Sequence, residues 1–374
     1  MTQQIIYIIG AFILSAVCGF ISIPLIMDFC QKKGLYDTPD NRKIHKTAIP
    51  RLGGISFLPS MLLASVIMIV LYNDELYENQ IVVSLWSVGF FVSLLIIYTT
   101  GLVDDLIGLG AKTKFTAQAI SACVMPLSGL YINNLYGFCG IYEIPFWMGA
   151  LLTVFIVTFV CNAINLIDGI DGLSGGLSFI ALAGFLLCFM RERMFAYSLL
   201  IAGLMGVLIP FLYFNLFGKA EKKRKIFMGD SGSLTLGFIL GFLFVKFTME
   251  NPNVKNFRLD SMVLAYTLLI VPVFDVVRVS LVRIAHHRPI YNADKNHIHH
   301  KLMRTGLSQH QTLLCILAMA LGFILVNCIL NQVNFYLSVI VFLDVILWIA
   351  VNMLINRRLR LKGQPVFLDE KKDI

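Results

Sequence analysis

Stretches of about 20 mostly apolar residues recur along almost the whole 374-residue chain. A helix of that length spans the hydrocarbon core of a bilayer, which is about 30 Å thick. Only 14% of the residues are charged, whereas a typical soluble domain has about 25%. We therefore expect an all-α polytopic membrane protein with about eleven transmembrane helices. The expected spans cover residues 5–27, 53–72, 81–101, 115–134, 145–163, 174–190, 196–217, 231–248, 261–282, 312–331 and 334–355.

Lysine and arginine are concentrated in alternate loops. One set of loops holds 24 of the 30 basic residues, and the opposite loops hold four. That set comprises residues 28–51, 102–114, 162–173, 218–230, 283–311 and the tail from 356. Because basic loops remain in the cytoplasm, the sequence predicts an outside N-terminus and a cytoplasmic C-terminus. We expect one integral membrane domain over residues 1–355 and a basic cytoplasmic tail over residues 356–374.

The stretch NAINLIDGIDGLSGG, residues 162–176, interrupts the apolar pattern with two carboxylates and two amides. These are Asp168, Asp171, Asn162 and Asn165, and the stretch contains no lysine or arginine. A charged residue deep in a membrane costs roughly 2.5–3.5 kcal/mol. A turn can also use Asn, Asp and Gly, but it needs only two or three such residues. The stretch therefore indicates a ligand site at the membrane boundary.

Two further acidic segments adjoin predicted helix ends. Asp104 and Asp105 follow an apolar run, and their mutual repulsion favours a raised pKa or a bound cation; Lys114 follows closely. Asp230, within MGDSGS, precedes the next run, where free helix N–H groups suit a phosphate and the carboxylate suits a hard metal ion. Solvated helix-end charges in the first segment and a simple N-cap in the second are the alternatives.

Six of the seven histidines lie between residues 286 and 310, and three of them form H-I-H-H as His297, His299 and His300. Interleaved basic residues such as Arg288 favour an anionic ligand. Zinc is disfavoured because no cysteine lies nearby. Asp275 and Arg278 are spaced for an i,i+3 ion pair.

Carboxylates, histidines and cations gathered on one membrane face suit a divalent metal that carries a polyphosphate. Mg²⁺ usually takes one or two protein carboxylates and completes its shell with water and substrate oxygens. Phosphoryl transfer needs mainly positioning and charge neutralisation. The residues themselves thus predict a phosphoryl-transfer site.

The same motifs resemble those of the polyprenyl-phosphate N-acetylhexosamine-1-phosphate transferases, which include the phospho-MurNAc-pentapeptide transferases. The matching segments are RLGG at 51–54, GLVDDLIGL at 101–109, KTKFTAQ at 112–118, NAINLIDGIDGLSGG at 162–176, FMGDSGSLTLG at 227–237 and RPIYNADKNHIHHKL at 288–302. The resemblance implies transfer of a sugar 1-phosphate from a UDP-amino sugar to undecaprenyl phosphate, with release of UMP. It places the enzyme in the bacterial inner membrane, with a cytoplasmic active site, at the first membrane step of a cell-surface glycan pathway.

The resemblance also implies roles for individual residues. Asp230 is the expected main Mg²⁺ ligand, with Asp104 and Asp168 as further ligands and Mn²⁺ able to substitute. Asp104 and Asp105 are expected to position the lipid phosphate, with Asp104 as a candidate base. The expected catalytic residues are Asp104, Asp105, Asp168, His297, His299 and His300. The expected substrate-binding residues are Arg51, Lys114, Asn162, Asn165, Asp171, Asp275 and Arg288.

Several alternatives stay open at this point. H-I-H-H after ADKN resembles the N-acetylglucosamine branch, whereas the peptidoglycan branch tends to have three consecutive histidines. Membrane carboxylates and histidines also occur in ion-coupled transporters, but those usually hold them near the bilayer midplane and in repeated halves. Direct attack by the lipid phosphate and a covalent aspartyl intermediate are both open. We expect lipid partners and no nucleic acid, and leave open a homodimer.

Overall fold

The computed structural model describes residues 2–37, 48–75, 85–251, 258–289, 295–333 and 335–368. In these ranges the chain forms thirteen α-helices and two short antiparallel hairpins. The helices are α1 Thr2–Lys33, α2 Phe57–Glu75, α3 Leu85–Ile107, α4 Ala111–Leu127, α5 Phe146–Ile167, α6 Leu173–Arg191, α7 Phe195–Phe217, α8 Gly229–Thr248, α9 Ser261–Thr267, α10 Ile270–Ala285, α11 Ile298–Arg304, α12 Gln309–Gln332 and α13 Leu337–Leu361. The strands are β1 Tyr36–Asp37, β2 Ile49–Pro50, β3 Asn134–Phe138 and β4 Ile141–Glu143. The all-α polytopic prediction is confirmed.

Nine helices in the described ranges are long and apolar enough to cross a membrane, and α9 with α10 adds a tenth span bent by 70°. The bend has a local cause in Pro272, which lies in the first turn of α10. A proline is tolerated in the first turn of a helix, whereas inside one continuous helix from α9 to α10 its ring would clash with the preceding turn. The remaining predicted span, residues 115–134, corresponds to α4. That helix has 17 residues and ends at Leu127, before β3 begins.

Helix α8 is the centre of the molecule. Every residue from Ser231 to Thr248 is buried, as expected for a helix that is apolar on all faces. Close packing depends on its glycines: a Cβ on Gly237 would lie 2.6 Å from the Cα of Cys161 on α5. The helices around α8 thus hold its first turn in a fixed position.

A 3₁₀ turn, Gly53–Ser56, packs against that first turn of α8. The N–H groups of Gly53 and Gly54 donate to the carbonyls of Phe227 and Met228, at 2.9 and 2.8 Å. A Cβ on Gly54 would lie 2.1 Å from the Cα of Gly232. The RLGG and MGDSGS motifs are therefore in backbone contact, although about 175 residues separate them.

The two ends of the helix array differ in chemistry. The C-terminal ends of α1, α3 and α5 and the N-terminal ends of α2 and α8 lie at the same end of the molecule, since these ends contact one another. Helix α1 is about 48 Å long at 1.5 Å per residue, and its first turns pack beside Tyr72 and Phe195 at the other end. We call the first end the motif end of the molecule.

Candidate active site

The start of α8 is held by Asp105, at the end of α3. Its Oδ1 accepts the N–H of Asp230 at 2.8 Å, and its Oδ2 accepts the N–H of Ser231 at 2.9 Å. Gly229 turns the chain with φ +73°, and a Cβ there would lie 2.1 Å from the Arg51 carbonyl oxygen. Asp105 therefore supplies the acceptors that the free N–H groups of a helix start require. These contacts give Asp105 a structural role, and its predicted catalytic role stays a prediction.

Asp104 and Asp230 converge on one cation, the ammonium group of Lys114. Lys114 Nζ lies 3.2 Å from Asp104 Oδ2 and 3.0 Å from Asp230 Oδ2. Asn165 Nδ2 donates to the other oxygen of Asp230 and, at 2.8 Å, to Ser233 Oγ. Asp104 Oδ1 also accepts the Leu109 N–H at 2.6 Å. We call Asp104, Lys114, Asn165 and Asp230 the carboxylate cluster.

Asp168 extends the negative charge of this cluster. It follows α5 directly as the C-cap residue, and it is exposed. Desolvation by nearby protein atoms raises the pKa of Asp168 to about 7, and the charges of Asp230 and Asp171 act in the same direction. An added cation would favour ionised Asp168.

Asp171 has a partner that the motif did not indicate. Its Oδ2 accepts from Lys225 Nζ at 2.6 Å, and both side chains are largely buried. The Lys222–Lys225 run follows the positive-inside pattern, and one member of it also neutralises a motif carboxylate. Asp171 is therefore tied to the loop before α8.

The histidines are held by α10. Asp275 is fully buried, and Arg278 Nη2 donates to its Oδ1 at 2.7 Å. This is the expected i,i+3 ion pair, and it is confirmed. His297 Nδ1 donates to Asp275 Oδ2 at 2.9 Å, because a carboxylate in an ion pair can only accept. Asp275 thus orients His297, and its oxygens also accept the Ile298 N–H. Its predicted part in substrate binding stays a prediction.

His299 links the histidines to the loop after α5. A Cβ on Gly169 would lie 2.2 Å from His299 Nε2, so the loop backbone packs directly on the imidazole. His299 is 1% exposed, and neither ring nitrogen has a hydrogen-bond partner in the described part of the chain. Desolvation, followed by the neighbouring His300 and His297, lowers the pKa of His299 well below its usual value. At neutral pH the ring is uncharged and offers one donor and one acceptor to a ligand.

The arrangement suits a divalent metal that takes few protein ligands. In the described ranges no group of three or more His, Cys, Asp or Glu side chains forms a closed metal site. Asp104 and Asp230 nevertheless converge on a single positive charge. Mg²⁺ commonly binds through one or two carboxylates and substrate phosphates, so the cluster fits that ion better than it fits a fully protein-bound metal.

The site roles of all the predicted residues stay predictions, and four of these residues remain to be placed. Asn162 is half-buried one turn before Asn165, and the Arg51 side chain is half-buried beside the RLGG contact. Arg288 follows α10 and is also half-buried, while the His300 ring centroid lies 4.2 Å from that of His299.

Sequence reasoning missed Lys225 and Ser233 as partners of the motif residues. Lys225 could not be distinguished from its basic neighbours by pattern, because its partner Asp171 is 54 residues away. Ser233 did carry a signal, since it lies one turn after Gly229 within GDSGS.

Comparison with known proteins agrees with this geometry. Residues 87–248 match the family model for glycosyl transferase family 4. A Bacillus subtilis protein named as a probable undecaprenyl-phosphate N-acetylglucosaminyl 1-phosphate transferase is 31% identical over 94% of this chain and 92% of its own. Proteins named undecaprenyl-phosphate alpha-N-acetylglucosaminyl 1-phosphate transferase from Yersinia pestis and Escherichia coli (strain K12) are 28% and 30% identical, over 90% and 76% of this chain and 86% and 74% of theirs. The chain belongs to the family of undecaprenyl-phosphate N-acetylglucosaminyl 1-phosphate transferases.

Proposed function

We propose that this protein transfers N-acetylglucosamine 1-phosphate from UDP-N-acetylglucosamine to undecaprenyl phosphate and releases UMP. The family assignment supports the lipid acceptor and the type of reaction. The observation that carries the proposal is the carboxylate cluster, in which Asp104 and Asp230 meet at Lys114 from distant parts of the chain. Such a cluster can hold a cation and the phosphates bound to it.

The reaction needs one bond formed and one broken. An oxygen of the lipid phosphate attacks the β-phosphorus of the UDP-sugar, and the bond from that phosphorus to the bridging oxygen breaks, so UMP leaves with the electron pair. A phosphate monoester with a second pKa near 6 is mostly dianionic at pH 7. The acceptor therefore needs placement more than deprotonation, and Asp104 is assigned to positioning it.

A divalent metal, for which we propose Mg²⁺, would be held by Asp230 and Asp104 with Asp168 nearby. When bound, it would neutralise charge on the phosphates. Lys114 already lies between the two carboxylates and is placed to contact the nucleotide phosphate that leaves. Asn165 fixes Asp230 by donating to it.

The histidines are assigned to the donor sugar and its pyrophosphate. His297 is fixed by Asp275 through Nδ1, and within the described residues no hydrogen bond engages its Nε2. His299 brings two unpartnered nitrogens to the same region. A buried unpartnered imidazole carries a desolvation penalty, and hydrogen bonds to a polar ligand would remove it.

An ion-coupled transporter is the competing class. Transporters usually place ionisable groups near the bilayer midplane in broken helices. Here Asp104 lies in the last turn of α3, and Asp230 lies in the first turn of α8. Their position at helix ends supports an interfacial enzyme that acts on a lipid headgroup.

The test is release of UMP by the purified full-length protein in detergent, with UDP-N-acetylglucosamine, undecaprenyl phosphate and Mg²⁺. We expect release that requires both substrates and is abolished by chelation. Asp230→Asn is expected to lower the rate by at least about 100-fold, as for loss of a group that stabilises transition-state charge. A protein that is folded and yet releases no UMP from any donor would contradict the proposal.

A donor panel then identifies the sugar. UDP-N-acetylglucosamine, UDP-N-acetylgalactosamine and UDP-MurNAc-pentapeptide are compared at equal concentration. We expect the first to be used best, and preference for the third would reassign the protein to peptidoglycan synthesis. Because one phosphoanhydride is broken and another is made, excess UMP should drive the reaction backwards.

A further inference from the structure

The C-terminal segment that follows α13 returns to the histidines. We call residues 362–368 the C-terminal strap and residues 296–304 the histidine segment. The strap contacts that segment at two points, Asn296 and Arg304. The Phe367 ring also stacks on the ring of His286, with centroids 4.0 Å apart. The described part of the basic tail, up to Leu368, thus lies at the motif end of the molecule.

Asn296 binds the strap through both ends of its side-chain amide. The N–H of Leu368 donates to Asn296 Oδ1 at 2.9 Å, and Asn296 Nδ2 donates to the Leu368 carbonyl at 3.2 Å. The Asn296 side chain is 2% exposed. This pairing imitates the two hydrogen bonds of a β-bridge. A second tie lies further along, where Arg304 Nη1 donates to the Pro365 carbonyl at 2.9 Å.

The same asparagine is connected to His297 through α10. Arg278 Nη2 donates to the Asn296 carbonyl at 2.7 Å and to Asp275 Oδ1 at 2.7 Å. Asp275 in turn holds His297 Nδ1. A continuous series of hydrogen bonds therefore runs from the Leu368 backbone to the imidazole. Release of the strap would remove one support from the peptide that precedes His297.

We propose that Asn296 is a positioning residue, through which the C-terminal strap fixes the histidine segment for binding of the donor substrate. The inference rests on the proposed function, because it assigns the histidines to the UDP-sugar. Among the described residues, the hydrogen bonds and the ring stacking of the strap go to Asn296, Arg304 and His286 and none goes to the carboxylate cluster. Its loss should therefore affect the donor and leave the lipid acceptor unaffected.

The test compares two substitutions with matched controls in the full-length protein. Asn296→Leu removes both amide contacts, and Leu368→Pro removes the N–H that donates to Asn296. Asn296→Asp keeps an acceptor for that N–H, and Leu368→Ala keeps the N–H itself. UMP release is measured at varied UDP-N-acetylglucosamine and at varied undecaprenyl phosphate, and the melting temperature of each variant is recorded.

We expect Asn296→Leu and Leu368→Pro to raise the KM for the UDP-sugar by about tenfold, with the KM for undecaprenyl phosphate unchanged. Leu368→Ala should resemble the wild type, and Asn296→Asp should fall between. A purely structural role would lower the active fraction, hence the apparent kcat, with both KM values unchanged. That result, or wild-type kinetics in both Asn296→Leu and Leu368→Pro, would overturn the proposal. Failure of the proposed function is distinct, since wild-type protein would then release no UMP.

Discussion

At the scale of single residues, the adjacent aspartates Asp104 and Asp105 have different roles. Asp105 is buried, and both of its oxygens accept backbone N–H groups from the start of α8. Asp104, one position earlier, points its Oδ2 at Lys114 and thereby at Asp230. Adjacent residues near a helix end project about 100° apart. One carboxylate can therefore anchor the neighbouring helix while the other faces the site.

This division predicts opposite phenotypes for two conservative substitutions. Asp105→Asn turns one acceptor into an amide that cannot accept a backbone N–H, which costs about 1–3 kcal/mol when that N–H is left unpaired in a buried site. We expect its melting temperature in detergent to fall by several degrees. Asp230→Asn should keep the wild-type melting temperature while losing transfer activity.

Thermal unfolding and UMP release, measured on the same preparations, separate the two cases. If Asp105→Asn loses activity at an unchanged melting temperature, Asp105 has a catalytic role and the structural assignment is wrong. The residue types in these motifs were sufficient to predict a phosphate and metal site. They could not separate Asp104 from Asp105, because both are consecutive carboxylates and only the position of α8 decides which oxygen meets which donor.

At the scale of elements, the site depends on close backbone contact between the Gly53–Ser56 turn and α8. Gly54 and Gly232 allow this contact, since a Cβ on Gly54 would lie 2.1 Å from the neighbouring Cα. Both partners at that point are backbone atoms. A side chain there can be accommodated only if the turn moves away from the first turn of α8.

We therefore expect Gly54→Ala to displace Asp230 and lower activity at least tenfold, with overpacking that costs about 1–3 kcal/mol of stability. Gly322→Ala on α12 is the matched control, because the added methyl group meets no atom within 4 Å. Activity and melting temperature measured on both variants check the prediction. Equal activity and melting temperature in the two variants would show that the site does not depend on close contact between the Gly53–Ser56 turn and α8.

On helix α11, a buried lysine should make the free energy of unfolding depend on pH. Desolvation, together with the nearby charge of Arg278, lowers the pKa of Lys301 to about 7. Above that pH the folded chain binds fewer protons than the unfolded chain, whose lysine titrates near 10.4. The free energy of unfolding should therefore rise with pH between about 7 and 10, by on the order of 1 kcal/mol per pH unit from this group.

Lys301→Met should remove that component. We expect the melting temperature of wild type minus that of Lys301→Met to increase between pH 7 and pH 9, and to stay level below pH 7, where the lysine is charged in both states. Lys112→Met replaces an exposed lysine and controls for net charge. A constant difference across the range would contradict a depressed Lys301 pKa in the folded protein.

Periodicity and length predicted most of these elements. Nine of the expected spans correspond to long apolar helices in the described ranges. The short α4, the bend between α9 and α10 and the two hairpins were not predicted. In each case tertiary packing sets where the element ends, and hydrophobicity continues across the boundary: residues 128–132 are largely apolar although no helix includes them.

At the scale of the whole molecule, the site and the C-terminus share one end. Helix α13 ends at Leu361, and the strap then reaches Asn296 beside His297. The first turns of α1 lie at the opposite end, next to Tyr72 and Phe195. These relations hold within the molecule and need no assumption about the membrane. Once the membrane side of either the site or the C-terminus is known, the side of the other follows.

The distribution of charge then selects the side. The loops at the motif end include most of the 24 lysine and arginine residues of the basic set, and basic loops are retained in the cytoplasm. We predict that a fluorescent protein fused after Ile374 folds and fluoresces, whereas alkaline phosphatase fused there is inactive. Alkaline phosphatase fused after Leu259, between α8 and α9 at the opposite end, should be active because it reaches the oxidising exterior. The reverse pattern would place the carboxylate cluster outside, where cytoplasmic UDP-sugars cannot reach it, and would exclude the proposed reaction together with the orientation.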